Sequence, residues 1–294
     1  ATEATTKYFL IQTTAAAMIL FAGTFNAWQS GQWTISQPTH PASTTLLLLA
    51  VMMKLGLAPT HAWYPEVLQG STMTIALLIS TWQKLAPLSF LFMMMNTLNP
   101  KMLMLAGLLS ALTGGWAGLN QTQTRKILAF SSIAHMGWLI TALAINPSLT
   151  TITLLTYVVM TTTAFLMLNS TTTKTLLDLS TLGAFTHIMQ TMMLFTMMSL
   201  GGLPPLTGFL PKWLIMKELI MMNILPLSTA LLLSSLPSLF FYMRVTYLTA
   251  LTTAPTTTNT EHKWRFKMLP MTLLPATTML TLFSLPLTPL LYNI

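Results

Sequence analysis

The chain has very few charged residues and no cysteine. Charged side chains make up 6% of its 294 residues, whereas about a quarter of residues are charged in ordinary globular domains. This composition excludes a soluble globular protein. Without cysteine, the chain holds no disulfide and no iron–sulfur cluster bound by its own thiolates. We therefore expect any associated redox chemistry to take place on a partner.

Sequence patterns for several other chemistries are missing as well. The nearest glycine cluster, GGWAG at residues 114–118, has neither the dinucleotide-binding nor the phosphate-binding spacing. The histidines lack the spacing with acids or cysteines that a metal site needs, and no serine, histidine and acid pattern indicates a hydrolase. The basic residues behind the net charge of +8 are scattered singly, which argues against nucleic acid as a partner. We expect no cofactor and no metal on this chain.

Apolar residues, by contrast, are abundant and make up 53% of the chain. Because a crossing needs about 20 apolar residues, the chain has room for about ten crossings with short connections. Windows of about 19 residues predict nine helical crossings, near residues 5–28, 42–62, 74–96, 101–119, 125–145, 148–169, 180–222 with a central break, 226–250 and 268–291. The sequence thus predicts an all-α integral membrane protein with a single polytopic domain, residues 1–294.

Two of the predicted helices are broken by proline. Pro59 and Pro65 lie six residues apart in LAPTHAWYPEV, and Pro205 and Pro211 have the same separation in LPPLTGFLPKW. A broken helix frees backbone carbonyls and amides, which is tolerated at membrane depth only where they face protein or a water-filled cavity. Paired breaks in two parts of a membrane protein are typical of an ion or substrate path.

Three lysines lie within or beside these apolar segments. Lys84 is about ten residues, or roughly 15 Å, from either end of its predicted helix, while Lys54 precedes Pro59 by five residues and Lys212 lies within the second break. Ionisable groups inside a membrane are rare and usually belong to an ion path. We interpret the three lysines as a proton relay. The alternative for each is a static role, as an ion pair or as the cap of a half-helix.

Two histidines and one glutamate extend this interpretation. His61 follows the first break, where an imidazole that ionises near neutral pH can pass protons between water and a lysine. His135 lies in the middle of its predicted helix beside Ser131 and Ser132, and either joins a hydrogen-bonded water chain or packs as a structural residue. Glu66 is the acid nearest the breaks. It either balances a lysine of this or a neighbouring subunit or occupies the surface.

Two further acidic residues have a predicted setting. Glu3 and Lys7 have the i, i+4 spacing of an interfacial ion pair at the start of the first predicted helix. Asp178 lies close to Lys174 and is expected in a loop.

Five motifs occur together and in order along the chain. They are EATTKYFL from Glu3, KLGLAPTHAWYPEV from Lys54, TWQKLAP from Thr81, RKILAFSSIAHMGW from Arg125 and GGLPPLTGFLPKW from Gly201. With these motifs the chain resembles the NADH dehydrogenase subunit 2 family of animal mitochondria, which belongs to the antiporter-like membrane subunits of respiratory complex I. The resemblance is strong from residue 3 to residue 213 and looser from there to the C-terminus.

The resemblance implies two inverted five-helix repeats, each containing one discontinuous helix. We therefore expect residues 1–120 to form the remainder of the first repeat, residues 121–250 the second repeat, and residues 251–294 a polar loop and the last helix. The similarity begins partway along the family pattern, so we expect the family's N-terminal helices to be absent. Those helices include the glutamate that pairs with the lysine at position 54.

The resemblance also implies a function. In this family protons cross the mitochondrial inner membrane along a central hydrated axis, driven by quinone reduction in other subunits of NADH:ubiquinone oxidoreductase. By motif, Lys54 and Lys212 match the lysines of the two broken helices, Lys84 matches the central lysine, and His61 and His135 match the two family histidines. The implied partners are the lipid bilayer and the other membrane and accessory subunits of complex I, including neighbouring antiporter-like subunits. The chain is then part of an enzyme but carries no redox centre.

Two alternatives remain open at this point. A stand-alone cation/proton antiporter retains complete repeats and works without partners. A purely structural membrane subunit has static lysines, so replacing them impairs assembly more than coupling.

Overall fold

The computed structural model describes residues 2–171, 173–180, 187–251 and 273–287. Within these segments the regular structure is helical, and pairing of β type is limited to an isolated bridge between Gln123 and Thr175. The α-helices are α1 (Thr2–Ser30), α2 (Pro41–Leu55), α3 (Trp63–Gly70), α4 (Met73–Ser80), α5 (Trp82–Met93), α6 (Pro100–Gly118), α7 (Thr124–Ile145), α8 (Pro147–Thr171), α9 (Leu176–Ser180), α10 (His187–Gly201), α11 (Phe209–Met221), α12 (Leu225–Ala250) and α13 (Leu274–Phe283), followed by a short 3-10 helix (Leu285–Leu287).

Five helical segments of the described chain are long and apolar enough to cross a membrane. They are α1, the α4–α5 pair over Met73–Met93, α7, α8 and α12. The helices α2 and α13 are shorter and apolar, as is α10 from Ile188 onwards. The all-helical membrane class is therefore confirmed, whereas the count of nine crossings stays a prediction. The predicted polar loop begins at residue 251, and residues 252–272 lie outside the described residues.

Proline and polar caps define where two of these helices begin. Pro41 and Pro100 occupy the first positions of α2 and α6, where the missing N–H costs nothing and the fixed φ suits a helix. His40 Nδ1 accepts a hydrogen bond from the Ala42 amide at 3.2 Å, and Asn99 Oδ1 accepts one from the Lys101 amide at 3.1 Å. These caps satisfy amides that the first helical turn leaves without an intrahelical acceptor.

Helix α7 lies at the centre of the bundle and is buried on nearly all faces. It approaches α6 closely because the contact is made by small residues. A Cβ added at Gly114 would lie 2.6 Å from the Ala134 nitrogen, and one added at Gly137 would lie 2.6 Å from the Gly107 carbonyl oxygen. At its first turn, Arg125 Nη1 donates hydrogen bonds to the carbonyls of Gln69 and Ser71. These contacts fix the helix that carries His135.

Both predicted proline breaks are present. The first separates α2 from α3. Gly56 caps the end of α2 with a left-handed φ of 72°, and its N–H donates to the carbonyls of Met52 and Met53. The second separates α10 from α11, where Gly202 has a φ of 83°. A Cβ at Gly208 would overlap the Ser199 carbonyl oxygen, so the second break folds back onto α10 where only glycine fits.

Two further expectations concern the acidic residues Glu3 and Asp178. The predicted pair of Glu3 and Lys7 is confirmed, with 2.8 Å between Lys7 Nζ and Glu3 Oε1. The prediction of a loop at Asp178 is wrong, because this residue lies in α9. Its Oδ2 accepts hydrogen bonds from the amides of Thr175 and Lys174, at 2.8 and 3.1 Å. The Asp178 amide donates to Thr175 Oγ1 at 3.4 Å, which completes a reciprocal cap that starts the helix.

Candidate functional site

Lys84 lies inside the bundle and contacts two tyrosines. Lys84 belongs to helix α5, and only 3% of its surface is exposed. Its Nζ donates a hydrogen bond to Tyr157 Oη at 3.2 Å and lies 4.8 Å from the ring centroid of Tyr64 and 5.2 Å from that of Tyr157. Such distances allow cation–π attraction. The ion pairs found in the described segments both involve Lys7, so no carboxylate there pairs with Lys84.

The hydroxyl of Tyr157 connects Lys84 to a break between two helices. Tyr157 is buried on α8, and its Oη donates a hydrogen bond to the Ser80 carbonyl at 2.8 Å. Ser80 is the last residue of α4, and the backbone departs from helical geometry at Thr81, with φ −114° and ψ −68°. The Lys84 amide donates to the Thr81 carbonyl at 3.3 Å. Within the described segments the Ser80 carbonyl therefore takes its hydrogen bond from the tyrosine.

Helix α7 brings His135 close to the same tyrosine and to a second one. The centroids of the His135 and Tyr157 rings are 5.9 Å apart, and His135 Nε2 lies 3.4 Å from Tyr242 Oη. Ser131 lies near Tyr242, and Ser132 lies near Tyr157. Each serine hydroxyl donates to a carbonyl of its own helix at 2.7 Å and keeps lone pairs that can accept. The polar face of α7 thus meets the buried phenol groups.

A small cavity separates His135 and Tyr157 from Lys212. Its volume is about 20 Å³, and Trp138, Thr153 and Pro211 also line it. A cavity of this size, with polar groups on several sides, is large enough for one water molecule. Lys212 Nζ is held at its other edge by donating a hydrogen bond to the Gly201 carbonyl at 3.0 Å.

Three basic groups therefore share one interior region. His135 lies within electrostatic range of both Lys84 and Lys212. Like charges in a poorly solvated interior resist being present at the same time. A change of charge on Lys84 or on Lys212 is consequently felt by His135.

Lys54 and His61 lie at the first break, apart from this line of contacts. Lys54 is partly buried in the last turn of α2 and makes no side-chain hydrogen bond within the described residues. The buried Nδ1 of His61 likewise has no hydrogen-bond partner in those segments. A Cβ at Gly56 would lie 3.2 Å from Tyr64 Cβ, and the ring of Tyr64 also contacts Lys84, so Tyr64 lies beside both the first break and Lys84. The structure brings Lys84, His135 and Lys212 together, and it does not bring Lys54 or His61 into contact with them.

Glu66 lies at the surface, where it pairs with a lysine of this chain. Its Oε2 is 2.7 Å from Lys7 Nζ, and both side chains are substantially exposed. The pair joins α3 to α1, away from Lys84.

The tyrosines Tyr64, Tyr157 and Tyr242 are site residues that the sequence analysis missed. Tyrosine is enriched where membrane meets water, whereas Tyr157 lies near the middle of α8 and Tyr242 well inside α12. Depth within a predicted helix is therefore the signal that would have identified these two. Tyr64 directly follows the first break and is fully buried, with no comparable signal in its sequence context.

The fold defines a class, that of the antiporter-like membrane subunits. A family model described as NADH:quinone oxidoreductase/Mrp antiporter, transmembrane, matches residues 1–240. A chain of respiratory complex I from Thermus thermophilus, solved with bound aureothin, superposes with a TM-score of 0.82 at 28% identity, over 99% of this chain and 68% of the other. A chain of the Mrp complex from a Dietzia species has the same fold, with a TM-score of 0.83 at 15% identity, over 99% and 66%.

Within that class, the chain belongs to the NADH-ubiquinone oxidoreductase chain 2 family. A model for the C-terminus of NADH dehydrogenase subunit 2 matches residues 239–292. The chain 2 of Tetraodon nigroviridis is 50% identical over 98% of this chain and 83% of its own length. That of Salmo salar is 51% identical with the same coverage, and that of Xenopus laevis is 48% identical over 99% and 84%.

Proposed function

We propose that the chain carries protons through a line of side chains formed by Lys84, Tyr157, His135 and Lys212. Lys84 and Tyr157 are buried, and His135 and Lys212 are partly buried. Its family makes it a proton-translocating membrane subunit of NADH:ubiquinone oxidoreductase, respiratory complex I, and a multi-pass protein of the mitochondrial inner membrane. One observation carries the residue assignment. A single cavity is lined by His135, Tyr157 and Lys212, and Tyr157 is hydrogen-bonded to Lys84.

Each group in this line has a separate part in moving a proton. Lys84 holds the central proton as an ammonium that donates to Tyr157 Oη. A water molecule in the cavity is within reach of Tyr157, His135 and Lys212, so it provides the hydrogen-bonded step between them. Lys212 then passes the charge towards the exit or the next subunit. The energy comes from redox chemistry in other subunits, and this chain supplies only groups that bind and release protons.

Lys54 and His61 form the proposed entry side. The released carbonyls of the first break, together with water, can stabilise a charged lysine at the end of α2, and the imidazole of His61 beside the same break can hand a proton between water and that lysine. Because Tyr64 lies beside both this break and Lys84, its hydroxyl, or water next to it, is the proposed route for a proton from Lys54.

We also infer how many times the chain crosses the membrane and how the crossings divide into repeats. Nine crossings in two inverted repeats are the proposed topology, with residues 1–120 in the first repeat, residues 121–250 in the second, and residues 251–294 as a polar loop and last helix. The matched positions of the breaks after α2 and α10 support this division. Neighbouring antiporter-like subunits, other membrane and accessory subunits and lipid are the proposed partners.

The test replaces Lys84 by Met in the assembled complex, with Lys101→Met as the matched control because Lys101 is an exposed lysine outside the line. Protons pumped per NADH oxidised are measured in vesicles containing the purified complex. We expect Lys84→Met to lower this ratio sharply and Lys101→Met to leave it unchanged. An assembled Lys84→Met complex that pumps with unchanged stoichiometry contradicts the assignment. Loss of assembled complex with a normal ratio in the remainder favours the purely structural subunit.

A stand-alone cation/proton antiporter is the second candidate, favoured by the inclusion of Mrp antiporter subunits in the matched family. The purified chain alone, placed in vesicles with an imposed pH gradient, tests it. Sodium uptake driven by that gradient supports the antiporter, whereas no uptake above empty vesicles supports a subunit that works only in the complex.

A further inference from the structure

The junction between α4 and α5 lies beside Lys84, and a single hydroxyl joins the two. Tyr157 Oη donates its proton to the Ser80 carbonyl at 2.8 Å and accepts one from Lys84 Nζ at 3.2 Å. A carbonyl oxygen only accepts, and a phenol has one proton to give. The direction of the Tyr157 O–H bond is therefore fixed as long as Lys84 is an ammonium.

When Lys84 loses its proton, the Tyr157 O–H bond is no longer held towards the Ser80 carbonyl. A neutral amine carries a lone pair and becomes an acceptor, which an ammonium is not. The amine then competes with the Ser80 carbonyl for the only phenol proton. In a continuous α-helix the same carbonyl would accept the amide of the residue four positions later, which is Lys84 itself. In the structure the Lys84 amide instead donates a long hydrogen bond of 3.3 Å to the Thr81 carbonyl.

We propose that Tyr157 is a positioning residue that couples the charge of Lys84 to the geometry of the α4–α5 junction. With Lys84 charged, the hydroxyl holds the Ser80 carbonyl and the junction stays open. With Lys84 neutral, the hydroxyl turns to the amine, and the Ser80 carbonyl is free to accept the Lys84 amide, which closes the junction into a helical turn. This inference rests on the proposed function, because it requires Lys84 to gain and lose a proton.

Other ionisable or polar groups lie on the surrounding helices. Tyr64 of α3 and His135 of α7 are close to Lys84 itself. Ser132 of α7 lies near Tyr64 and Tyr157, Lys212 of α11 lies near His135, and Lys54 belongs to α2, which packs against α5. None of these is hydrogen-bonded to the Ser80 carbonyl in the described segments. Tyr157 is thus the one side chain there that contacts both the amine and the junction.

Hydrogen exchange of the backbone amides of residues 81–84 in the assembled complex tests the proposal. Exchange is measured between about pH 6 and pH 10, a range that brackets the titration of a buried amine, and corrected for the base-catalysed rate of an unstructured peptide. We expect a step in which exchange slows roughly two- to ten-fold as Lys84 loses its proton, the factor for gaining one ordinary hydrogen bond. Exchange that shows no step, or that becomes faster, overturns the proposal.

Three variants separate coupling from packing. Lys84→Met has no charge to lose and must abolish the step. Tyr157→Phe keeps the ring and removes the hydroxyl, so it must also abolish the step. Tyr247→Phe, at an exposed tyrosine of α12, must keep it. A purely structural Tyr157 changes exchange equally at every pH and leaves the step in place in Tyr157→Phe, which overturns the coupling role.

The proposed function is judged by a different readout. If Lys84→Met pumps normally, the proton relay itself is wrong. If Lys84→Met fails to pump while the step persists in Tyr157→Phe, the relay stands and only the role of Tyr157 is rejected.

Discussion

The side chain of Lys212 occupies the space that a side chain at Gly202 would need. A Cβ on Gly202 would lie 2.9 Å from Lys212 Nζ and 3.2 Å from Lys212 Cδ. The backbone of the second break therefore forms one wall of the lysine site, and Gly201 next to it supplies the carbonyl that Nζ contacts. The helix break here frees the Gly201 carbonyl as an acceptor, and the glycine at position 202 leaves room for the Lys212 side chain that donates to it.

The first prediction follows from this contact. Gly202→Ala is expected to displace Lys212 and lower the rate of proton pumping, since the added methyl group meets the amine. Gly31→Ala is the matched control, because Gly31 also has a left-handed φ, 71°, but its Cβ would meet nothing within 4 Å. Both variants carry the backbone strain, about 1–2 kcal/mol. Equal pumping by the two assembled variants would show that the close contact with Lys212 is unimportant.

The contact between α6 and α7 gives a prediction on stability. Gly114→Ala places a methyl group 2.6 Å from the Ala134 nitrogen and 2.8 Å from the Phe130 carbonyl oxygen. Overpacking of this kind costs about 1–3 kcal/mol, and we expect a lower thermal midpoint and less assembled complex. Gly23→Ala is the control, since its methyl group would meet only the Ile35 side chain at 3.4 Å. The account of helix packing is contradicted if Gly114→Ala is no less stable than the control.

The cap of α9 is expected to depend on pH. Hydrogen bonds from the amides of Thr175 and Lys174 lower the pKa of the exposed Asp178 carboxyl below its ordinary value of 3.8. A lowered pKa in the folded state means that the carboxylate stabilises the cap above about pH 4 and that this stabilisation is lost as the pH falls further. Hydrogen exchange of the Thr175 amide, corrected for its intrinsic rate, should therefore rise on acidification. In Asp178→Asn this dependence should be absent, and its persistence would assign it to another group.

His135 offers a way to separate proton transfer from packing. His135→Asn keeps a polar group near Tyr242 but removes the group that can be protonated, whereas His135→Leu removes both. If the imidazole carries protons, both variants should lose pumping while the complex still assembles. If its role is the contact with Tyr242 Oη at 3.4 Å, the Asn variant should pump normally and only the Leu variant should be impaired. Proton pumping and the yield of assembled complex are the two measurements.

The sequence predicted those groups that are energetically costly inside a membrane. Lys84 and the two proline breaks were recognisable because a charge or a missing hydrogen bond at membrane depth has few alternative explanations. The break between α4 and α5 had no such mark, because the segment around Thr81 contains neither proline nor glycine before Pro87. The Ser80 carbonyl at this break accepts a hydrogen bond from Tyr157, which is 77 residues away along the chain. Such a long-range contact has no local signal.

The partners of charged residues likewise could be predicted from sequence only where they are neighbours on one helix. The i, i+4 spacing of Glu3 and Lys7 predicted their pair, because neighbours on one helix face follow from helix geometry alone. The pairing of Glu66 with Lys7 joins two helices and depends on how α1 and α3 pack. Likewise, motif matching placed Lys54 and His61 in the relay, but only coordinates reveal that they lie apart from the contacts that join Lys84 to Lys212.

The most direct test of the account is the location of ordered water in the assembled complex, in a structure at a resolution that shows individual water molecules. The account predicts water in the cavity between His135, Tyr157 and Lys212, hydrogen-bonded on one side to the histidine or tyrosine and on the other to the lysine. A cavity closed by apolar side chains, with no water between Lys84 and Lys212 both at rest and during turnover, would contradict proton conduction along this line.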